Sequence, residues 1–192
     1  AKRYFDLFVS KAGSHTQIAQ FREDEAALKK QIQENSGRYD KVANLEINTP
    51  YADYGSYVHN NALYFTSARD TGNLSKKVHT WTNESFTSLY SYSLDKEPVK
   101  RNITRIKGDV KSKLNESTAV VTKDGQTMYF TRNNILNNKR GYDQDTKLKI
   151  YRAYLKDGKW TDVEELPFNG DSFSTAHPVL SKDEKLMYFA SD

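Results

Sequence analysis

The histidines are the first residues whose side chains could bind a metal ion or act as a general base. The chain has four of them, His15, His59, His79 and His177. A metal site on one helix or hairpin needs two ligands a few positions apart, and none of these histidines lies that close to another. The sequence therefore predicts surface or hairpin positions for all four, and it assigns no metal ligand.

An acidic stretch could supply oxygen ligands to Ca²⁺. Asp143, Gln144 and Asp145 follow one another, and Asn137 and Asn138 lie shortly before them. Carboxylate and amide oxygens suit this ion, but the ordered spacing of a calcium loop and its bidentate glutamate are missing. The predicted structure is a solvated loop, and whether it binds calcium or a glycan is left open.

The sequence contains no recognisable catalytic motif. It has no Gly-x-Ser-x-Gly elbow, no His-Glu-x-x-His and no phosphate-binding glycine run. It also has no cysteine, which excludes a disulfide scaffold, a thiolate metal site and a cysteine nucleophile. Residues 155–161 resemble the Asp-box turn of sialidase-type propellers, with Trp160 following the Asp157-Gly158 turn, and that motif is structural. We therefore predict no catalytic residue and no cofactor.

The charge balance argues against nucleic acid as a partner. Lys and Arg total 29 against 25 Asp and Glu, which gives a net charge of +4 with both signs interspersed. The densest basic stretch, residues 96–113, is interpreted as a solvated face, with an anionic partner as the alternative; it includes Arg101, Arg105, Lys107 and Lys111. No apolar window approaches the roughly 18 residues of a membrane span.

The elements that position these residues fall into two parts. Residues 16–35 contain good helix formers without Gly or Pro, and their apolar positions follow a helical period: Ile18, Phe21, Ala26, Leu28 and Ile32. Thr16 is a candidate cap and Ser36-Gly37 a stop signal. Residues 4–9 are read as the tail of an earlier helix. Residues 1–37 are therefore predicted to be a helical segment.

From residue 38 onward the sequence repeats. Residues 54–70, 117–133 and 175–192 each hold an apolar half-strand, a polar turn and a Tyr-Phe strand. The turns, Asn60-Asn61, Asp124-Gly125 and Asp183-Glu184, suit tight β-hairpins. The positions of the repeat signature are Leu63, Tyr64, Phe65, Asp124, Gly125, Met128, Tyr129, Phe130, Asp183, Met187, Tyr188 and Phe189. The Tyr-Phe stripe is interpreted as core packing.

A second recurring pair completes each repeat. Residues 88–94 match residues 149–155, and each is followed by one more short strand, at 99–106 and 160–166. Four strands in up-and-down order are typical of a β-propeller blade. Polar inserts at 71–85 and 134–146 should project together on one face. Residues 38–192 thus predict two blades and the first hairpin of a third, so we expect the chain to be part of a larger protein.

Two stretches carry a family resemblance. Residues 122–132 and 181–192 resemble the hairpin core of WD-repeat-like, TolB-type propellers. Residues 45–56, followed by 63–69, look like the first blade in large OmpA-family envelope proteins of Bacteroidetes. The resemblance implies a tetratricopeptide-like helical array ending near residue 37, then a propeller. In such proteins a separate OmpA-like domain binds peptidoglycan, and some members work with type IX secretion or gliding machinery.

The expected fold is therefore mainly β, a partial β-propeller of four-stranded antiparallel blades preceded by a short helical segment. The expected function is a non-enzymatic protein-interaction scaffold in the periplasm, associated with the outer membrane and with a protein partner there. Peptidoglycan would be reached only through a domain outside this sequence. The alternative is the propeller domain of a glycoside hydrolase or serine peptidase. The predicted first-strand positions, 54–58, 117–121 and 176–180, hold no acid, which counts against the glycosidase.

Overall fold

The computed structural model describes residues 16–37, 43–69, 78–79, 82–95, 102–134 and 146–192. The chain divides into two compact units, Ala1–Asn44 and Leu45–Asp192. The predicted helix at 4–9, the predicted domain boundary after residue 37 and the candidate calcium loop around Asp143 lie outside the described residues. The described residues are mainly β.

Helix α1 (Thr16–Glu34) occupies the first unit, as the sequence predicted. The Asn35 N–H donates to the Gln31 carbonyl at 3.1 Å, and Gly37 then takes a φ of 89°, which ends the helix as a glycine allows. The predicted apolar face is exposed at its C-terminal end, where Leu28 is 55% and Ile32 61% accessible.

The second unit contains two four-stranded antiparallel sheets and one hairpin. The first sheet is β1 (Asp53–His59), β2 (Ala62–Ser67), β3 (Ser88–Ser93) and β4 (Ile103–Arg105). The second sheet is β5 (Glu116–Val121), β6 (Thr127–Asn133), β7 (Leu148–Lys156) and β8 (Lys159–Glu165). The third hairpin is β9 (Thr175–Leu180) and β10 (Met187–Ser191). Each sheet follows chain order, which confirms the predicted four-stranded repeat.

The hairpin turns have the backbone that their residues favour. Asn60 and Asn61 have φ values of 43° and 57°, the left-handed pair that a two-residue hairpin needs. Gly125 and Glu184 occupy the same position in the second sheet and the third hairpin, with φ values of 72° and 58°. A glutamate thus adopts the conformation that its glycine counterpart adopts without strain.

The aspartates of the second and third turns fix those turns through their side chains. The Thr122 hydroxyl donates to Asp124 Oδ1 at 2.6 Å, and the Ser181 hydroxyl donates to Asp183 Oδ1 at 2.6 Å. These hydrogen bonds, together with backbone N–H donors, lower the pKa of both carboxyl groups. The two turns are therefore held by the same local chemistry.

A stacked aromatic pair lies at the centre of each sheet. Phe65 on β2 is directly opposite Tyr90 on β3, and Phe130 on β6 is opposite Tyr151 on β7. The ring centroids are 5.8 Å and 5.9 Å apart, with interplanar angles of 26° and 30°. All four residues are buried. For Phe65 and Phe130 the predicted core role is confirmed.

An arginine covers each aromatic pair. The Arg69 guanidinium lies 4.9 Å from the Phe65 ring centre and 5.3 Å from that of Tyr90. In the second sheet, the Arg132 guanidinium lies 4.2 Å from the Tyr151 ring centre. A cation over the negative face of a ring is attracted to it, so both arginines close the cores of their sheets.

The third hairpin departs from this pattern. Tyr188 is 61% and Phe189 42% accessible, so the prediction that the Tyr-Phe stripe is core packing is wrong there. In the first two sheets a third strand lies against the Tyr-Phe strand, whereas β10 pairs with β9 alone among the described residues.

Candidate functional site

The first strands of the three repeats lie side by side. β1 contacts β5, and β5 contacts β9. Each of these strands pairs with its hairpin partner through an irregular register near Gly55, Thr118 and His177. These three residues all have positive φ values, of 64°, 32° and 60°. The irregularity is a β-bulge, which redirects the strand and leaves one backbone group free to bond elsewhere.

A buried threonine on the neighbouring repeat accepts that free backbone N–H. Thr66 Oγ1 on β2 accepts the Thr118 N–H at 3.0 Å, and Thr131 Oγ1 on β6 accepts the His177 N–H at 2.9 Å. Both threonines are fully buried. We call these the cross-sheet threonine bonds; they fix each repeat against the next in the same way. Ala190 stands at the corresponding position of β10 and has no hydroxyl.

The three first strands enclose a cavity of about 290 Å³, which we call the inner cavity. Most of its lining surface is apolar, with Val120 from β5 and Val179 and Leu180 from β9, and Thr118 and His177 also line it. Lys123 and Glu184 contribute charge beside the hairpin turns. A concavity whose surface is mainly apolar and that also presents polar groups has the form of a binding site.

The charged end joins the turns of neighbouring repeats. The Lys123 N–H donates to the Glu184 carboxylate at 2.6 Å. The Tyr57 hydroxyl donates to the Val121 carbonyl at 3.0 Å, and burial together with the nearby Glu184 charge raises the pKa of Tyr57. The His59 ring stacks on Tyr57 with centroids 6.4 Å apart. These contacts hold the turns in place.

One pair in the inner cavity has the distance of a nucleophile and its base. Thr118 Oγ1 lies 3.2 Å from His177 Nδ1 and 3.0 Å from Thr131 Oγ1. A catalytic hydroxyl needs its base to be oriented by a third group. Among the described residues, no carboxylate forms a hydrogen bond with the His177 ring, so this hydroxyl–imidazole pair lacks the third member of a triad.

Two acids at the starts of the first strands were missed by the sequence analysis. β1 begins at Asp53 and β5 at Glu116, one residue before each predicted start. The interpretation that the first strands hold no acid is therefore wrong. A signal was present, since an acid directly precedes both predicted strands, with Thr175 at the matching position of the third.

Asp53 forms a structural ion pair. Its carboxylate lies 3.0 Å from the Arg69 guanidinium, and it also accepts hydrogen bonds from the Thr49 N–H and hydroxyl. Burial disfavours the charge, but the hydrogen bonds from Ser67, Thr49 and Arg69 outweigh it and lower the pKa of Asp53. This carboxylate holds the Arg69 guanidinium over the Phe65 ring, so it is not available as a catalytic acid or base.

Glu116 is a buried carboxyl, only 1% accessible. Burial raises its pKa, while hydrogen bonds from Ser112 and Ser88 and the charge of Arg132 work in the opposite direction. A raised pKa is also a property of catalytic acids. Here the backbone N–H of Ser112 already donates to the carboxylate, so Glu116 anchors the segment that leads into β5.

The remaining candidates are placed as follows. His79 packs edge-on against Phe86, with ring centroids 5.8 Å apart, and His15 lies outside the described residues. Trp160 is buried in the core of the second unit, in agreement with a structural role for its turn. In the part of the chain that the structure describes, no group of three potential metal ligands occurs, and no helix is long and apolar enough to span a membrane.

Comparisons with protein-family models, curated proteins and solved structures found no match. The resemblance to TolB-type propellers and OmpA-family envelope proteins is therefore a prediction from the sequence alone.

Proposed function

We propose that this chain is a β-propeller segment that serves as a non-enzymatic protein-interaction scaffold in the bacterial envelope. The repeated cross-sheet threonine bond carries the proposal. The Thr66–Thr118 bond relates the first sheet to the second, and the Thr131–His177 bond relates the second to the third hairpin. In a propeller, the same contact recurs between successive antiparallel sheets, and the first strand of each sheet is the innermost.

The scaffold role is supported by the state of the polar groups around the inner cavity. Asp53 and Glu116 are engaged in structural contacts, and the Thr118–His177 pair has no orienting carboxylate among the described residues. Most of the surface that lines the cavity is apolar, although Thr118 and His177 also line it. Such a surface suits a partner's side chains better than it suits hydrolysis.

The inserts supply a second surface for the same role. Each insert connects the second strand of a sheet to the third. The inserts therefore begin at the end of the strands opposite to the β1–β2 and β5–β6 turns. We propose that residues 71–85 and 134–146 contact a protein partner. The periplasmic, outer-membrane-associated location and the link to type IX secretion or gliding machinery are supported by the family resemblance alone. We propose an outer-membrane protein as partner.

The test is affinity purification of the chain from a bacterial envelope fraction. In the variant, a short Gly-Ser linker replaces residues 71–85; it can close the gap because Ser67 and Ser88 are directly opposite. The matched control is Lys30→Ala on the exposed helix. An outer-membrane protein that mass spectrometry identifies with the chain and the control, but not with the variant, supports the proposal. Equal recovery with the variant would contradict it.

The same preparations should be tested with fluorogenic glycoside and peptide substrates. We expect no turnover above the level given by His177→Ala. Turnover that this substitution abolishes would instead favour the hydrolase alternative, with the Thr118–His177 pair as its centre.

A further inference from the structure

The inner cavity is lined by equivalent positions of two repeats. Its lining runs along β5 from Thr118 to Lys123 and along β9 from His177 to Lys182, and β1 contributes Tyr57. The strands β1, β5 and β9 are each the first strand, at the edge, of their own sheet. The cavity therefore lies between strands that occupy the same place in every repeat, and no residue of β10 lines it.

Two hydroxyl groups fix the position of the proton on the His177 imidazole. Thr131 Oγ1 accepts the His177 N–H at 2.9 Å, and its own proton has one acceptor among the described residues, Thr118 Oγ1 at 3.0 Å. Because Thr131 is fully buried, its proton needs this acceptor. The Thr118 hydroxyl then donates to His177 Nδ1 at 3.2 Å. In the neutral ring Nδ1 is thus the acceptor, and the ring proton lies on Nε2.

The Nε2–H group of His177 is a donor that is available to a ligand. The His177 side chain is exposed, and among the described residues its ring forms a hydrogen bond through Nδ1 alone. A donor selects an acceptor, such as a carbonyl or carboxylate oxygen. At this end the cavity therefore favours a ligand oxygen that accepts a hydrogen bond.

The other end of the cavity presents two lysines. Lys123 and Lys182 line it there, and neither ammonium group forms an ion pair with a described carboxylate. The acids beside them are engaged, since Glu184 accepts the Lys123 N–H and Asp183 accepts the Ser181 hydroxyl. Two unpaired cations favour an anionic group on a ligand.

The length and volume of the inner cavity set the shape of its ligand. His177 and Lys182 are five positions apart, which corresponds to about 16 Å of extended strand. A volume of about 290 Å³ holds about ten groups of the size of a water molecule. Val120, Val179 and Leu180 lie along the lining between the two ends. These dimensions suit a single linear chain with an apolar middle.

We propose that the inner cavity binds a linear aliphatic carboxylate that has a second hydrogen-bond acceptor at its far end. The carboxylate lies beside Lys123 and Lys182, the chain lies along Val179, and the second acceptor receives the His177 Nε2–H. This inference goes beyond the scaffold function, because it assigns a small ligand to the inner cavity. It does not depend on whether residues 71–85 and 134–146 contact a protein partner.

Isothermal titration calorimetry at pH 8 tests the proposal with two probes. Sebacate is a ten-carbon linear dicarboxylate, and decanoate has the same chain length with a single carboxylate. We expect saturable binding of sebacate. His177→Ala should weaken sebacate binding about tenfold, because a hydrogen bond to a charged acceptor is lost, and it should change decanoate binding by less than about twofold. No saturable binding of sebacate, or an equal loss for both probes, would overturn the proposal.

A lysine variant locates the carboxylate. Replacing both Lys123 and Lys182 by Gln should weaken the binding of sebacate and decanoate alike, by about fivefold, since two exposed ion pairs are lost. Lys30→Gln on the exposed helix is the matched control and should bind both probes as the original chain does. Circular dichroism checks that all variants fold. Unchanged affinity of the double variant would show that the carboxylate does not lie at the lysines.

Nitrogen NMR of the histidine side chains tests the hydroxyl relay in the original chain, without any substitution that could affect folding. The His177 signal is identified by its absence in His177→Ala. We expect the Nε2–H tautomer at pH 8, and the Nε2–H resonance should shift when sebacate is added. Thr118→Val, which removes the donor to Nδ1, should show a mixture of both tautomers. A predominant Nδ1–H tautomer in the original chain would contradict the proposed role of His177 as a donor.

Discussion

The substitution Thr131→Val should weaken the contact between the second sheet and the third hairpin. Thr131 Oγ1 accepts the His177 N–H at 2.9 Å and lies 3.0 Å from the Thr118 hydroxyl. Thr131 is fully buried. Because valine has nearly the shape of threonine, the packing is kept while the acceptor is lost.

The expected loss of stability follows from the His177 N–H, which loses its acceptor. A buried donor that loses its partner costs about 1–3 kcal/mol. The Thr118 hydroxyl adds little, because it keeps His177 Nδ1 at 3.2 Å. We therefore expect the free energy of unfolding to fall by about 1–3 kcal/mol. Thr131→Ser, which keeps the acceptor and loses a methyl group, should lose about 1 kcal/mol.

Urea unfolding followed by tryptophan emission measures this change. The chain has two tryptophans, so Trp81→Phe provides a background in which only the buried Trp160 reports. The matched control is Thr104→Val, whose hydroxyl makes an exposed hydrogen bond with Ser91 and should change stability by no more than about 0.5 kcal/mol. If Thr131→Val were as stable as this control, the cross-sheet threonine bond would not hold the repeats together.

Four further substitutions test three other features of the structure. Gly108→Ala should lower the free energy of unfolding in urea by about 2–4 kcal/mol, because φ is 114° and an added Cβ would lie 2.0 Å from the Trp160 carbonyl oxygen. Unchanged stability would show that the backbone moves to accommodate the methyl group. Phe130→Ala should lower the free energy of unfolding by about 3–5 kcal/mol, and Phe189→Ala should lower it by less than about 1 kcal/mol, although the two phenylalanines occupy the same position of the repeat. Equal losses would contradict the exposure of Phe189. Burial raises the pKa of Glu116, so the native state holds its proton more tightly and its stability should fall as pH rises above 4.5. Between pH 4 and 7 the urea midpoint of the original chain should therefore fall relative to that of Glu116→Gln. A difference that stays constant with pH would refute the raised pKa of Glu116.

The local elements were predictable because their causes lie within a few residues. Helix α1 follows from a helical period and a glycine stop, and the three hairpins follow from alternating strands around Asn60-Asn61, Asp124-Gly125 and Asp183-Glu184. The order of four strands in each sheet was predictable because up-and-down neighbours need only short turns. The bounds were less accurate: β4 (Ile103–Arg105) is shorter than predicted, and β1 and β5 begin one residue earlier.

The contacts between repeats were decided by the tertiary structure. Thr66 and Thr131 read as ordinary strand residues, and only the neighbouring bulge makes them acceptors for a backbone N–H. In the same way, nothing near Gly108 in the sequence indicates that the Trp160 backbone lies against it.

The phenylalanines of the repeat signature share their local sequence pattern but differ in burial. By itself the sequence determined that Phe65, Phe130 and Phe189 are equivalent strand residues, because side-chain alternation and turn chemistry are local properties of the chain. The tertiary structure decided that the first two are buried and the third is half exposed. Burial depends on which strand lies alongside, and that is a relation between residues far apart in the chain.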